Sequence, residues 1–158
     1  MTRAEFLDLL AHGSDDEVVD ATWDFLPETE SDEETGYETG DPLALISYAD
    51  SEIRNGGFYQ FYSNGIFDAL HMPRLFQDID AGALAQCIAE ANARFPEGMP
   101  PYRGSREVEE VELEMEEMEI GEDSFKDIEE RYLAASSDLA AKLAQFVRSN
   151  PDRYAPPE

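Results

Sequence analysis

The side chains best placed to do chemistry in this chain are carboxylates. Eight of them fall within thirteen positions: Glu107, Glu109, Glu110, Glu112, Glu114, Glu116, Glu117 and Glu119. Carboxylates this numerous say nothing about an acid–base pair, but they make an array that binds cations. Wound as a helix, Glu107, Glu110, Glu114 and Glu117 form one stripe and Glu109, Glu112, Glu116 and Glu119 a second. Val108, Val111, Met115 and Met118 form a third line, apolar and available for docking. At ~1.5 Å per residue the eight charges span roughly 18–20 Å, or one per about 2.4 Å, against one per ~1.7 Å along duplex DNA. Like charges four apart cost a few tenths of a kcal/mol per pair, a cost that makes sense if the array meets a basic surface. A second group, Asp16, Asp20 and Asp24, recurs every four residues. Two arrays on one face would imitate two phosphate rows.

Other chemistry finds little support. His12, His71 and the single Cys87 do not stand at metal-ligand spacing. A Cys87–His71 nucleophile pair lacks a third member, and a cysteine among alanines reads as core. The acidic stretch Asp32–Asp41 has its glycine in the wrong place for a calcium loop and no closing glutamate. There is no GxGxxG or phosphate-loop pattern. The expectation is no enzyme, no metal and no cofactor.

Those carboxylates belong to a 158-residue chain with 37 acids and 11 Lys or Arg, a formal charge of −26. Apolar residues at 42% and aromatics at 11% are enough for a core. The charge argues against direct nucleic-acid binding and against an anionic membrane surface. It favours a strongly basic partner. A lone cysteine, no leader-like apolar run and no stretch of ~20 apolar residues lead to a cytoplasmic expectation. The acidity is uneven: residues 15–41 hold 12 acids and no base, and residues 107–130 hold 13 acids and one base. Between them, residues 51–106 hold 6 acids and 5 bases. Salt adaptation would acidify the middle as well.

The elements that must carry these groups read as helices almost throughout. Residues 3–11 and 16–26 are amphipathic. Residues 28–40 are charged and glycine-containing, hence a loop. Asp41-Pro42 is a helix start, a capping carboxylate followed by proline at the first helical position. Residues 43–49 read as a central buried helix, Asp80 as the cap of a helix running to Phe95, and Ser124 as the cap of one long last helix to about Ser149. Glutamate's helix propensity decides 107–119 in favour of helix. The predicted fold is all-α: a multi-helix domain at 42–154 preceded by an acidic helical extension and loop at 1–41.

Glu52, Asn55, Gly56, Gly57, Phe58, Gln60, Phe61 and Asn64 spell ExxNGGFxQFxxN. Paired glycines permit a sharp break and close approach of another group. Phe58, Phe61 and Tyr62 fill the core, Asn55 and Asn64 suit caps or turns, and Gln60 can bond exposed backbone. A ligand pocket around Glu52, Gln60 and Asn64 is the functional alternative. The pattern resembles the motif of the DNA-mimic protein (DMP) family, a domain of unknown function, with the likeness extending over roughly 42–154. That resemblance implies an all-helical fold. It also implies, from the member that gave the family its name, a homodimer that occupies the DNA-binding surface of a transcription factor. The motif itself does not carry mimicry, which rests on this chain's own acids.

The function expected from the acids is a DNA mimic that blocks the DNA site of a basic protein: a transcription factor, a nucleoid protein or a defence nuclease. The alternative is an immunity-type inhibitor or another interaction module that binds through a partly apolar surface.

Overall fold

The computed structural model describes residues 1–158, and its first two helices open on the same device. In α1 (Arg3–His12) the Thr2 hydroxyl accepts the Glu5 N–H at 3.2 Å, and the Glu5 carboxylate accepts the Thr2 N–H at 2.7 Å. Ser14 and Glu17 repeat this reciprocal cap at α2 (Asp15–Trp23), at 3.3 and 2.8 Å. These backbone bonds hold both glutamates below the usual carboxylate range. α2 stops at Trp23 rather than reaching Leu26. Tighter turns, Phe25 N–H to Thr22 and Leu26 N–H to Trp23, lead into Pro27, because a residue before proline avoids the helical region.

The expected loop at 28–40 is a small hairpin. β1 (Glu30–Ser31) pairs antiparallel with β2 (Glu38–Thr39). Asp32 shapes the turn by accepting the Glu34 and Thr35 N–H groups, each at 2.9 Å. The hairpin is pinned by Glu38 N–H to the Ile66 carbonyl at 2.7 Å and by the Tyr37 ring against Tyr102.

α3 (Pro42–Asn64) is the central element. Asp41 caps it through the Leu43 N–H at 2.9 Å and also accepts the Tyr154 hydroxyl at 2.8 Å. The first arm buries Leu43, Ala44, Leu45, Ile46, Ala49 and Ile53. The backbone leaves the helical region at Gly56 (φ −145°, ψ 19°) and Gly57 (φ 69°, ψ −170°), and the second arm buries Phe58, Phe61 and Tyr62.

α4 (Met72–Asp78), α5 (Gly82–Ala93), α6 (Val108–Glu117), α7 (Lys126–Ala135), α8 (Leu139–Ser149) and α9 (Pro151–Tyr154) complete an all-α architecture. Phe58 sits at its centre, its ring about 6 Å from those of Phe61, Phe125 and Tyr132. The core is one cluster, to which the N-terminal helices contribute Phe6, Leu10 and Val18.

Other helix boundaries also differ from expectation. Asp80 does not cap α5; it adopts a left-handed φ of 63°, and its carbonyl takes the Lys142 ammonium instead. Ser124 lies inside a short 3-10 segment, with α7 starting at Lys126. The long last helix is broken at 136–138. There Ser136, buried, donates to the Leu133 carbonyl at 3.0 Å and accepts from Arg54 at 2.7 Å. Arg54 is held in turn by Asp50 at 2.8 Å, which also receives the Tyr132 hydroxyl at 2.8 Å.

A candidate protein-docking surface on α3 and α6

α6 is fastened to the core by Val111 and Met115, both fully buried, with Val108 and Met118 half-buried beside them. This apolar line turns the remaining positions outward. Glu109, Glu110, Glu116 and Glu117 are exposed, and Leu113 stands among them at 61% exposure. Glu112 and Glu114 are half-buried on the two flanks. The helix is shorter than the thirteen residues expected. Glu107 is its N-cap residue, and Glu119 lies past its end with a left-handed φ of 62°. Ile120 N–H to Met115 and Glu119 N–H to Glu116, both at 2.9 Å, close the end as a Schellman motif, with glutamate where glycine is favoured.

Of these acids only Glu114 has a cation, Arg106 at 2.6 Å. The last turn of α6 carries no base to offset Glu116 and Glu117, although the negative end of the helix dipole lies there. Local stability would have placed lysines at these positions.

Asp16, Asp20 and Asp24 are exposed, and none has an ion-pair partner. Their helix is held in place: Val18 is fully buried, and Arg148 of α8 bonds Asp15 at 2.6 Å and the Gly13 carbonyl at 2.9 Å. Asp24 falls just outside α2, at its C-cap.

The motif residues resolve into two jobs. Phe58 and Phe61 are core, and Asn55 is exposed. Glu52 accepts the Gln60 amide at 2.8 Å and the Asn64 amide at 3.1 and 3.2 Å, so Gln60 bonds a side chain and not the backbone. The glycines are explained by two neighbours. A Cβ on Gly56 would stand 2.1 Å from Gln60 Oε1, and one on Gly57 would stand 2.2 Å from Glu129 Oε1. Glu129 itself accepts the Phe58 N–H at 2.9 Å, capping the second arm of α3.

Two clefts open along this side of α3. One, of about 560 Å³, lies between the hairpin and α3, with Glu38, Tyr48, Glu52 and Asn64 on its walls. The other, of about 350 Å³, lies between α3 and α6 and includes Tyr59, Gln60, Asn64, Glu112 and Glu122. Asn64 borders both. Trp23, at the end of α2, packs edge-on against Tyr48, with ring centroids 6.3 Å apart. The structure thus brings Glu52, Gln60, Asn64 and Glu112 together, while Asp16, Asp20 and Asp24 line neither cleft. Sequence reasoning missed Glu122 and Glu129, which no spacing connects to the motif, and Tyr59, which stands inside it between Phe58 and Gln60.

A family model described as DMP19-like protein matches residues 41–150, which include all of α3, both clefts' α3 walls and α6. The chain belongs to the DMP19-like protein family. DMP19 stands for DNA mimic protein 19, so the family name suggests DNA mimicry and not a catalysed reaction. The DMP19-like match begins at the cap of α3 and leaves α1, α2 and their aspartates outside it. No curated protein and no solved structure matches this chain. No helix is long and apolar enough to cross a membrane.

Proposed function

We propose that this protein is a DNA mimic that binds a basic DNA-binding protein and blocks its DNA site. The observation that carries the reading is the outward face of α6: glutamates fixed to the core through Val111 and Met115, with one neutralising base among them. Lysines and arginines that would meet phosphates meet these carboxylates instead, and the attraction is fast and salt-sensitive. The partner is of the transcription-factor, nucleoid-protein or defence-nuclease kind. In this reading residues 42–154 are the family domain. Residues 1–41 are an acidic extension seated on α8 that adds Asp16, Asp20 and Asp24 to the field.

Immobilised protein exposed to lysate at low salt and eluted in salt steps tests this. Basic DNA-binding proteins should elute, duplex DNA should displace them, and Glu110→Gln/Glu116→Gln/Glu117→Gln should retain less. Partners that DNA fails to displace would refute blocking of a DNA site.

One observation favours the second reading, an inhibitor of the immunity type. Leu113 is exposed at the middle of the acidic face, where an apolar anchor would serve a specific interface. In that case Leu113→Ser weakens binding more than the glutamine variants do, and salt matters little.

A further inference from the structure

The cleft between the second arm of α3 and α6 is lined by acceptors. Glu112 and Glu122 are carboxylates, and no lysine or arginine lines the cleft with them. Gln60 and Asn64 turn their amide NH₂ groups to Glu52, since a carboxylate offers acceptors only, which leaves both amide oxygens free. Gln60 Oε1 lies over Gly56, the one residue type that leaves it room. Ser63 is 2% exposed and lines the same cleft, yet its hydroxyl forms no hydrogen bond within the chain. Every fully enclosed polar side-chain atom has a partner. The Ser63 hydroxyl is therefore open at its tip, and the cleft is what it opens on. Its O–H can donate to one of the four acceptors beside it, and its lone pairs, like theirs, are open to a donor that enters the cleft.

We propose that this cleft is a receptor for one arginine side chain of the partner, its guanidinium held by Glu112, Glu122 and the Ser63 hydroxyl against the Tyr59 ring. The inference rests on the reading that a basic protein docks on α6, and it names the contact that would give the docking its register. Guanidinium fits because it carries five donors in a plane and no acceptor, and because it stacks on aromatic rings. An ammonium group has three donors and does not stack. A metal ion fits poorly, because no three His, Cys, Asp or Glu side chains converge on one point. Tyr59 is suited to the wall: burial first, then the charges of Glu112, Glu122 and Glu116, hold its phenol above the usual range, so it remains a neutral ring.

The test is titration of ¹⁵N-labelled full-length protein with N-acetyl-arginine amide, with the lysine and citrulline amides run in parallel. The arginine amide should shift the side-chain amide resonances of Gln60 and Asn64 saturably, and the other two should not. Glu112→Gln should weaken the effect about tenfold, the worth of one charge-assisted hydrogen bond, and Ser63→Ala should weaken it measurably. Glu28→Gln, which removes the same unit of charge outside the cleft, should not. An equal response to the lysine amide, or equal losses from Glu28→Gln and a folded Glu112→Gln, would overturn the receptor and leave only diffuse attraction. Because the probe is a single amino acid, this failure is distinct from failure of the docking reading, which the lysate and DNA displacement experiment measures.

Discussion

The carboxylate of Glu129 accepts the backbone N–H of Phe58 at 2.9 Å, across 71 positions of chain. That bond explains the second glycine of the motif. Glu129 occupies the space a Cβ at position 57 would fill, and Gly57 itself has φ 69° and ψ −170°, a region almost reserved for glycine. Gly57→Ala should therefore cost about 2 kcal/mol or more. Gly56→Ala should cost less, because its φ is ordinary and the flexible Gln60 can swing away. Glu129→Ala should remove a helix cap worth about 1 kcal/mol. Urea denaturation of the three variants gives the order. Adding Glu129→Ala to Gly57→Ala should not rescue it, since the backbone strain remains once the clash is gone.

At Glu119, as at Asp80 and Glu97, the left-handed backbone carries a residue other than glycine. It closes α6 in the left-handed region at φ 62°, where a non-glycine residue costs roughly 1–2 kcal/mol. Glu119→Gly should raise stability by about 1 kcal/mol, read as a higher urea midpoint with unchanged slope. A neutral or destabilising result would mean that the glutamate side chain contributes a compensating interaction to the fold.

Some of this was legible in the sequence because the cause was local. Asp41-Pro42 announced the start of α3, and the capping aspartate bonds Leu43. The paired glycines announced a break, and the three-and-four spacing of Val108, Val111, Met115 and Met118 marked the line on which α6 docks. What stayed hidden depends on distant partners. Ser136 ends α7 with help from Arg54, 82 positions away. Glu129 and Glu122 reach the motif only once α3, α6 and α7 have packed. The hairpin, with strands of two residues each, rests on Ile66 and Tyr102, which no periodicity in residues 28–40 could reveal.

The α5–α7 contact should titrate at acid pH. Arg94 grips Asp127 bidentately at 2.6 and 2.7 Å, and its hydrogen bonds bring that carboxyl down to about 2. A carboxyl lowered in the fold stabilises it fully above its unfolded value near 3.8 and loses that contribution as pH falls toward 2. Asp127→Asn should thus melt below the parent at pH 5 and 6, with the difference closing between about pH 4 and 2. Thermal melts across that range check it. A difference constant with pH would show that the asparagine perturbs packing and not the ion pair.

The sharpest test of the α6 face sets stability against binding. If its acids are merely a solvated surface, replacing them leaves partner capture unchanged. If they are a contact array, the local cost they impose is retained for function, since a contact site is where local rules are broken without structural gain. Glu116→Lys and Glu117→Lys place cations at the carboxyl end of α6, where the last turn has none, and each should stabilise the helix by about 0.3–1 kcal/mol. Glu116→Lys also relieves repulsion with Glu112, four residues earlier. Both variants should nevertheless lose capture of basic proteins at low salt, the pair losing more than either alone. A protein made more stable and less able to bind by the same substitution would tie these carboxylates to recognition. Gained stability with undiminished capture would place the contact surface elsewhere on the molecule.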